Sequence, residues 1–218
     1  MSRRGKGGRV IDLGALASRP GKNEGATMLD EKQWVMDLAP RIENALQGTS
    51  TKQKQVRVAA HKKLYYAHEV FEYGPGQNRP CVSDYQTDLL VFDDLGKDRW
   101  TPRVVIECKL GQVTTHDTLT YSAKASTHKQ VHPYLRYGIL IGRYGENSVP
   151  GRLFRHGAFF DFMVTWAESR PRDDLWAAFV EMLEDEVRSS RKIQEMLLKS
   201  RSWSREKHAM VHRPLRLS

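Results

Sequence analysis

Residues 87–110 constrain the fold more than any other stretch of this chain. Two runs of branched and aromatic residues, TDLLVF (87–92) and PRVVIECKL (102–110), flank a turn-forming DDLGKD segment. Runs of that length and composition predict two strands, and their separation fits a hairpin-like pair with a long connection. YGILIG (137–142) predicts a further buried strand, AFFDFMVTW (158–166) another, and LYYAHEVFE (64–72) one more upstream. GPGQNRP (74–80) reads as a loop. Helical spacing recurs in three places. From about 29 to 47, Trp34, Val35, Leu38, Ile42, Ala45 and Leu46 fall together behind a capping Asp30. Residues 117–132 carry Leu119 and Ala123 on one side, with Ser126 or Gln130 continuing it, and Pro133 ends or bends the helix. From a capping Asp173 to about Lys199, Trp176, Phe179, Val180, Leu183 and Val187 make an apolar stripe. The order of these elements describes an α/β domain with a mixed central sheet flanked by helices.

Charge divides the chain into three parts. The formal net charge is +9, but residues 1–22 hold +5 and residues 188–218 hold +7, leaving −3 on residues 23–187. A flexible basic arm is expected over 1–27, a folded domain over 28–187, and a basic helix end and tail over 188–218. Basic ends suit nucleic-acid phosphates, and an acidic middle in such a protein asks for a metal ion. No apolar run reaches the roughly 18 residues of a membrane span. The N-terminal MSRRGKGGRV lacks the apolar segment of a secretory signal. Cys81 and Cys108 are the sole cysteines, too few for a disulfide framework or a Cys-rich zinc site. A cytoplasmic setting is expected. GKGG (5–8) lacks the strand and helix of a phosphate loop, so no use of ATP is expected. His128 and His132 stand four apart without a third ligand, and read as surface or phosphate-facing residues.

The chemistry lies in what interrupts the apolar strands. Asp88 opens a run of four apolar residues, and Glu107 and Lys109 break VVIECKL. Side chains alternate along a strand, so Glu107 and Lys109 share one face while Ile106 and Cys108 point into the packed layer. If the two strands are neighbours, two carboxylates and an ammonium converge. Such a set suits phosphodiester hydrolysis. Asp88, Glu107 and the Cys108 carbonyl would hold Mg²⁺, and Lys109 would orient the attacking water or stabilise charge on the phosphate. A plain ion pair on a solvated sheet edge is the competing explanation of any Glu-x-Lys.

These residues resemble the PD-(D/E)XK nuclease superfamily, with its restriction-endonuclease-like core. Asp88 stands at the motif's Asp, Glu107-Cys108-Lys109 at its (D/E)XK, and Thr87 where the motif has Pro. The resemblance covers roughly residues 30–165. It implies that an acid on the first helix joins the site. Glu43 is the candidate, with Glu31 and Asp37 as competitors. Gln130 and Tyr134 have the Q-x-x-x-Y spacing of the RecB-like branch, where such residues support the active site and the substrate backbone. Lys124 and Lys129 are candidate phosphate contacts. The resemblance further implies a Mg²⁺-dependent DNA endonuclease, with Mn²⁺ able to substitute, that leaves a 5′-phosphate. A homodimer on double-stranded DNA, in a type II-like restriction or phage-defence role, is the expected form. The rivals are a repair or recombination nuclease, an RNA-processing nuclease and a non-catalytic DNA-binding module.

Overall fold

In chain order the elements are α1 (Glu31–Ala45), a 3₁₀ turn (Leu46–Thr49), β1 (Gln55–Ala60), β2 (Lys63–Val70), β3 (Pro80–Gln86), β4 (Leu89–Asp94), β5 (Trp100–Leu110), α2 (Thr115–Val131), β6 (Arg136–Gly142), α3 (Gly151–His156), β7 (Phe162–Thr165) and α4 (Asp173–Leu198). They come from a computed structural model, which describes residues 30–70, 74, 80–200, 210 and 215–217. The arm expected over 1–27, most of the loop over 74–80 and most of the tail beyond 200 lie outside the described residues.

The central sheet has five strands in the order β1-β4-β5-β6-β7. β1, β4 and β5 pair antiparallel, whereas β5, β6 and β7 pair parallel. The parallel β5–β6 step needs a crossover, and α2 supplies it. This is the mixed sheet flanked by helices that the element order predicts, but β3 and α3 are unexpected and three further elements differ. β1 lies inside the basic stretch KQKQVRVAAHKK; flanking lysines hide a strand whose Val56 and Val58 alternate inward. The strand expected over 64–72 pairs with β3 in a separate two-stranded sheet. AFFDFMVTW is strand over Phe162–Thr165 only, because a turn closed by the Phe160 N–H on the Gly157 carbonyl occupies its first half.

Helices α1 and α4 cover one face. Trp34, Leu38, Ile42, Phe179, Leu183 and Val187 pack there against Leu89, Val91, Val104, Ile106 and Cys108. Each such large side chain contributes about 1.5–3 kcal/mol when fully buried. The other face carries Leu90, Val105 and Tyr137 under Ala125 of α2 and Leu64 of β2. Beside them, Ile139 and Ile141 lie under Leu153 of α3. α4 runs without a break across the expected boundary at 187, and Ser190 is buried. Asp30 occupies the α1 cap position without a capping side-chain bond, and Arg172, not Asp173, precedes α4.

The side of α2 that carries Leu119 and Ala123 is the outer one. Leu119 is 50% exposed and Ala123 is exposed, whereas Thr118, Ser122, Ala125 and His128 are buried. A polar stripe is buried because this helix lies over a polar site, and periodicity of apolar residues cannot report that. Thr114 and Asp117 start the helix with a reciprocal capping box. No helix among the described residues is long and apolar enough to cross a membrane.

Candidate active site

β5 outruns β4, and the site is built on the overhang. Leu89 pairs with Ile106 and Leu90 with Val105, so continuing the register sets Asp88 opposite Glu107. Beyond Ile106 there is no β4 residue to take the N–H groups of Cys108 and Leu110. Carboxylates take them instead. Cys108 N–H donates to Asp88 Oδ2 at 2.8 Å, and Leu110 N–H donates to Glu31 Oε2 at 2.7 Å. Buried amides demand such partners, and two acids therefore gather on one strand edge. The Cys108 carbonyl leaves the strand on the same side as its N–H.

Asp88 is held from behind. Its carbonyl accepts from His61 N–H at 2.9 Å. Thr87, fully buried, donates its N–H at 3.1 Å and its hydroxyl at 2.9 Å to the Lys62 carbonyl. Proline at this position could make neither bond. Thr87→Pro is expected to lower stability by about 2–3 kcal/mol, read as a shift of the urea midpoint, with Thr87→Ser close to wild type.

Glu107 is 1% exposed, on the face of Val105 and away from the α1–α4 layer. Tyr137 Oη donates to its Oε1, and Lys124 Nζ lies 3.8 Å from its Oε2. Burial first, and the nearby Asp88 second, push its pKa up to about 7 against the pull of Lys124 and Tyr137. A buried acid facing another acid is an arrangement that a divalent cation relieves. Lys109 shares the Glu107 face, with its Nζ 3.9 Å from Glu31 Oε1. The Cys108 side chain is fully buried in the opposite layer. Burial, then Asp88, Glu107 and Glu31, push its thiol well up, so it has no character of a nucleophile.

An aromatic wall closes the α2 side. His128 is fully buried; its Nδ1–H donates to the Tyr65 carbonyl at 3.2 Å, and its ring stacks on Tyr137 with centroids 5.8 Å apart. Burial pushes its pKa down to about 4, so it is neutral near pH 7. Tyr66 and Tyr85 meet it edge-on. The Tyr121 phenol is pushed up by burial and then by Glu107 and Asp88, which marks it as facing the acids. Tyr137 is fixed further by its N–H, which donates to Asp161 Oδ2 at 2.8 Å.

Of the expected residues, Asp88, Glu107, Lys109, Cys108 and Lys124 come together. Glu43 does not join them. Twelve residues beyond Glu31, about 18 Å along the helix, it accepts from Val58 N–H at 2.8 Å and pairs with Arg57 at 3.3 Å. Glu31, its competitor, is the helix acid at the site. Gln130 is exposed, nearly two turns past Lys124. Tyr134 is half-buried against the Arg103 guanidinium, 5.6 Å from its ring. Lys129 pairs with Asp161 at 2.8 Å and donates to the Phe159 carbonyl, tying α2 to the turn before β7. His132 Nδ1 lies 3.2 Å from the His128 carbonyl. Tyr137, Tyr121 and Tyr85 were not among the sequence candidates. Tyr137 heads a strand that reads as pure core, and nothing local marks its hydroxyl.

Among the described residues, no group of three or more His, Cys, Asp or Glu side chains is arranged to hold a metal ion. The donors at the site are the Asp88 and Glu107 carboxylates and the Cys108 carbonyl. These are hard oxygens, and a small cation that keeps several of its waters fits them. No known protein family matches the chain, and no curated protein matches it.

Proposed function

We propose that the chain is a Mg²⁺-dependent DNA endonuclease with a restriction-endonuclease-like core. The observation that supports this best is the pairing of Asp88 with Glu107 across the β4–β5 edge, with Lys109 on the same face. The strand order, antiparallel β4–β5 followed by a helical crossover to parallel β6, is in keeping with that core. Asp88, Glu107 and the Cys108 carbonyl would hold the cation. When bound, Mg²⁺ supplies polarisation of the phosphoryl group and neutralises its charge. Lys109 orients the attacking water and stabilises negative charge on the phosphate. Glu31 holds the Lys109 ammonium in place and keeps the strand edge satisfied. A homodimer, one catalytic set per strand, is the assembly that cleavage of a duplex asks for, and restriction or phage defence is the role proposed.

The test is incubation of the purified chain with supercoiled plasmid in Mg²⁺ and in EDTA, beside linear duplex, a four-way junction and duplex RNA. Linearised plasmid in Mg²⁺ alone supports the proposal. Cleavage confined to the junction assigns the same chemistry to repair or recombination, and cleavage confined to RNA assigns it to RNA processing. Tight, salt-sensitive binding with no product under any condition overturns the nuclease and leaves a DNA-binding module.

A further inference from the structure

We propose that Lys124 is an internal counter-ion of the carboxylate pair, which a divalent cation displaces from Glu107 onto the phosphate of the substrate. The proposal rests on Asp88 and Glu107 being the cation ligands. Lys124 rises from the buried side of α2, and its side chain is only 12% exposed. A lysine so enclosed needs a partner. It has Glu107 Oε2 at 3.8 Å, and the rings of Tyr85 and Tyr121 with centroids 4.1 and 5.0 Å from its Nζ.

Glu107 Oε1 is already taken by the Tyr137 hydroxyl. Oε2 is the oxygen left for a cation, and it is the one Lys124 faces. Two positive groups within about 4–6 Å in a poorly solvated site repel strongly. The ammonium and a divalent ion therefore compete for Oε2. The two phenol rings make the exchange feasible, because they attract the ammonium without a formal charge. Tyr85 is 39% exposed, so the ring that holds Lys124 also borders the surface a nucleic acid would approach. The four-carbon stem swings the released ammonium to a phosphate oxygen. Lys109 has its own acid, Glu31, and does not take part in the exchange.

Mn²⁺ binding is measured on the full chain by the loss of the free-ion electron paramagnetic resonance signal at pH 8.5, beside plasmid cleavage, for wild type, Lys124→Met and Lys124→Arg. Lys124→Met is expected to bind Mn²⁺ about tenfold more tightly and to cleave about 10²-fold more slowly. Lys124→Arg, which keeps the charge, is expected to bind as wild type does and to restore part of the cleavage. A purely structural lysine would lower binding and cleavage together. Mn²⁺ affinity of Lys124→Met equal to or below that of wild type overturns the counter-ion role, and unchanged cleavage overturns transfer to the phosphate. Lys124→Gln is judged by the same outcomes if the methionine variant does not fold. Failure of every protein, wild type included, to bind Mn²⁺ overturns the cation site itself and the exchange with it.

Discussion

Glu107→Gln is expected to lower Mg²⁺-dependent plasmid cleavage by about 10³-fold or more, with the fold intact by circular dichroism. Glutamine keeps the shape and the contact with Tyr137 but removes the charge that would hold the cation. The same variant carries a second, independent signature. In the folded chain Glu107 titrates at about 7, above its ordinary 4.5, because it is buried and faces Asp88. Between those values the native state retains a proton that the unfolded state has released. Stability in EDTA is therefore highest below about pH 4.5 with respect to this group, and falls as pH rises towards 7, by about 1.4 kcal/mol per unit. The loss is on the order of 3 kcal/mol across the window, and Glu107→Gln removes it. Urea midpoints at pH 5 and pH 7.5 measure the difference. Equal slopes in wild type and variant would show that Glu107 is not the strained acid described above, whatever the cleavage assay gives.

Asp93→Ala is expected to destabilise the chain by about 3–5 kcal/mol, the largest effect on folding of any substitution considered. Asp93 is fully buried and bridges two guanidiniums. Arg103 Nε, on β5, donates to it at 2.7 Å, while Arg191 of α4 donates to both its oxygens and to the Thr49 carbonyl. Burial by itself would raise the Asp93 pKa, but hydrogen bonds and charge from Arg191 and Arg103 overcome it and hold the carboxyl below its ordinary range. Alanine leaves Arg103, itself 1% exposed, as an uncompensated buried charge. Replacing all three residues by apolar ones of similar volume is expected to cost far less. Urea unfolding of the single and triple variants separates the two cases, and an Asp93→Ala loss under about 1 kcal/mol would mean that the triad behaves as a surface ion pair.

That triad also bears on the basic C-terminal part of the chain. Composition makes residues 188–218 look like a grip for nucleic acid. In α4 several of these cations already have acids: Arg191 holds Asp93, Arg188 reaches Glu184 and Asp185, and Lys199 pairs with Glu195 at 2.6 Å. Net charge counts side chains; it does not say which of them are already neutralised within the fold.

The strand features of residues 87–110 were legible because they are local. Alternation along VVIECKL is enough to put Glu107 and Lys109 on one face and Cys108 on the other, and the DDLGKD turn is compatible with two apolar runs that pair. The helix faces were legible where the core is apolar, in α1 and α4. The buried side of α2, with Thr118, Ser122 and His128, was not legible, because its residues are mostly polar.

What the amino-acid order determined by itself is the kind of domain, a hairpin-like pair of strands, and the placing of Glu107 and Lys109 on one strand face, since backbone periodicity leaves few alternatives. Only the tertiary structure decided that Asp88 meets Glu107, that Glu31 and not Glu43 arrives, that Tyr137 and Lys124 flank Glu107, and that Arg191 turns inward. These contacts join residues 17 to 98 positions apart. Such contacts are set by how helices dock on the sheet and by which buried amide or charge is left needing a partner.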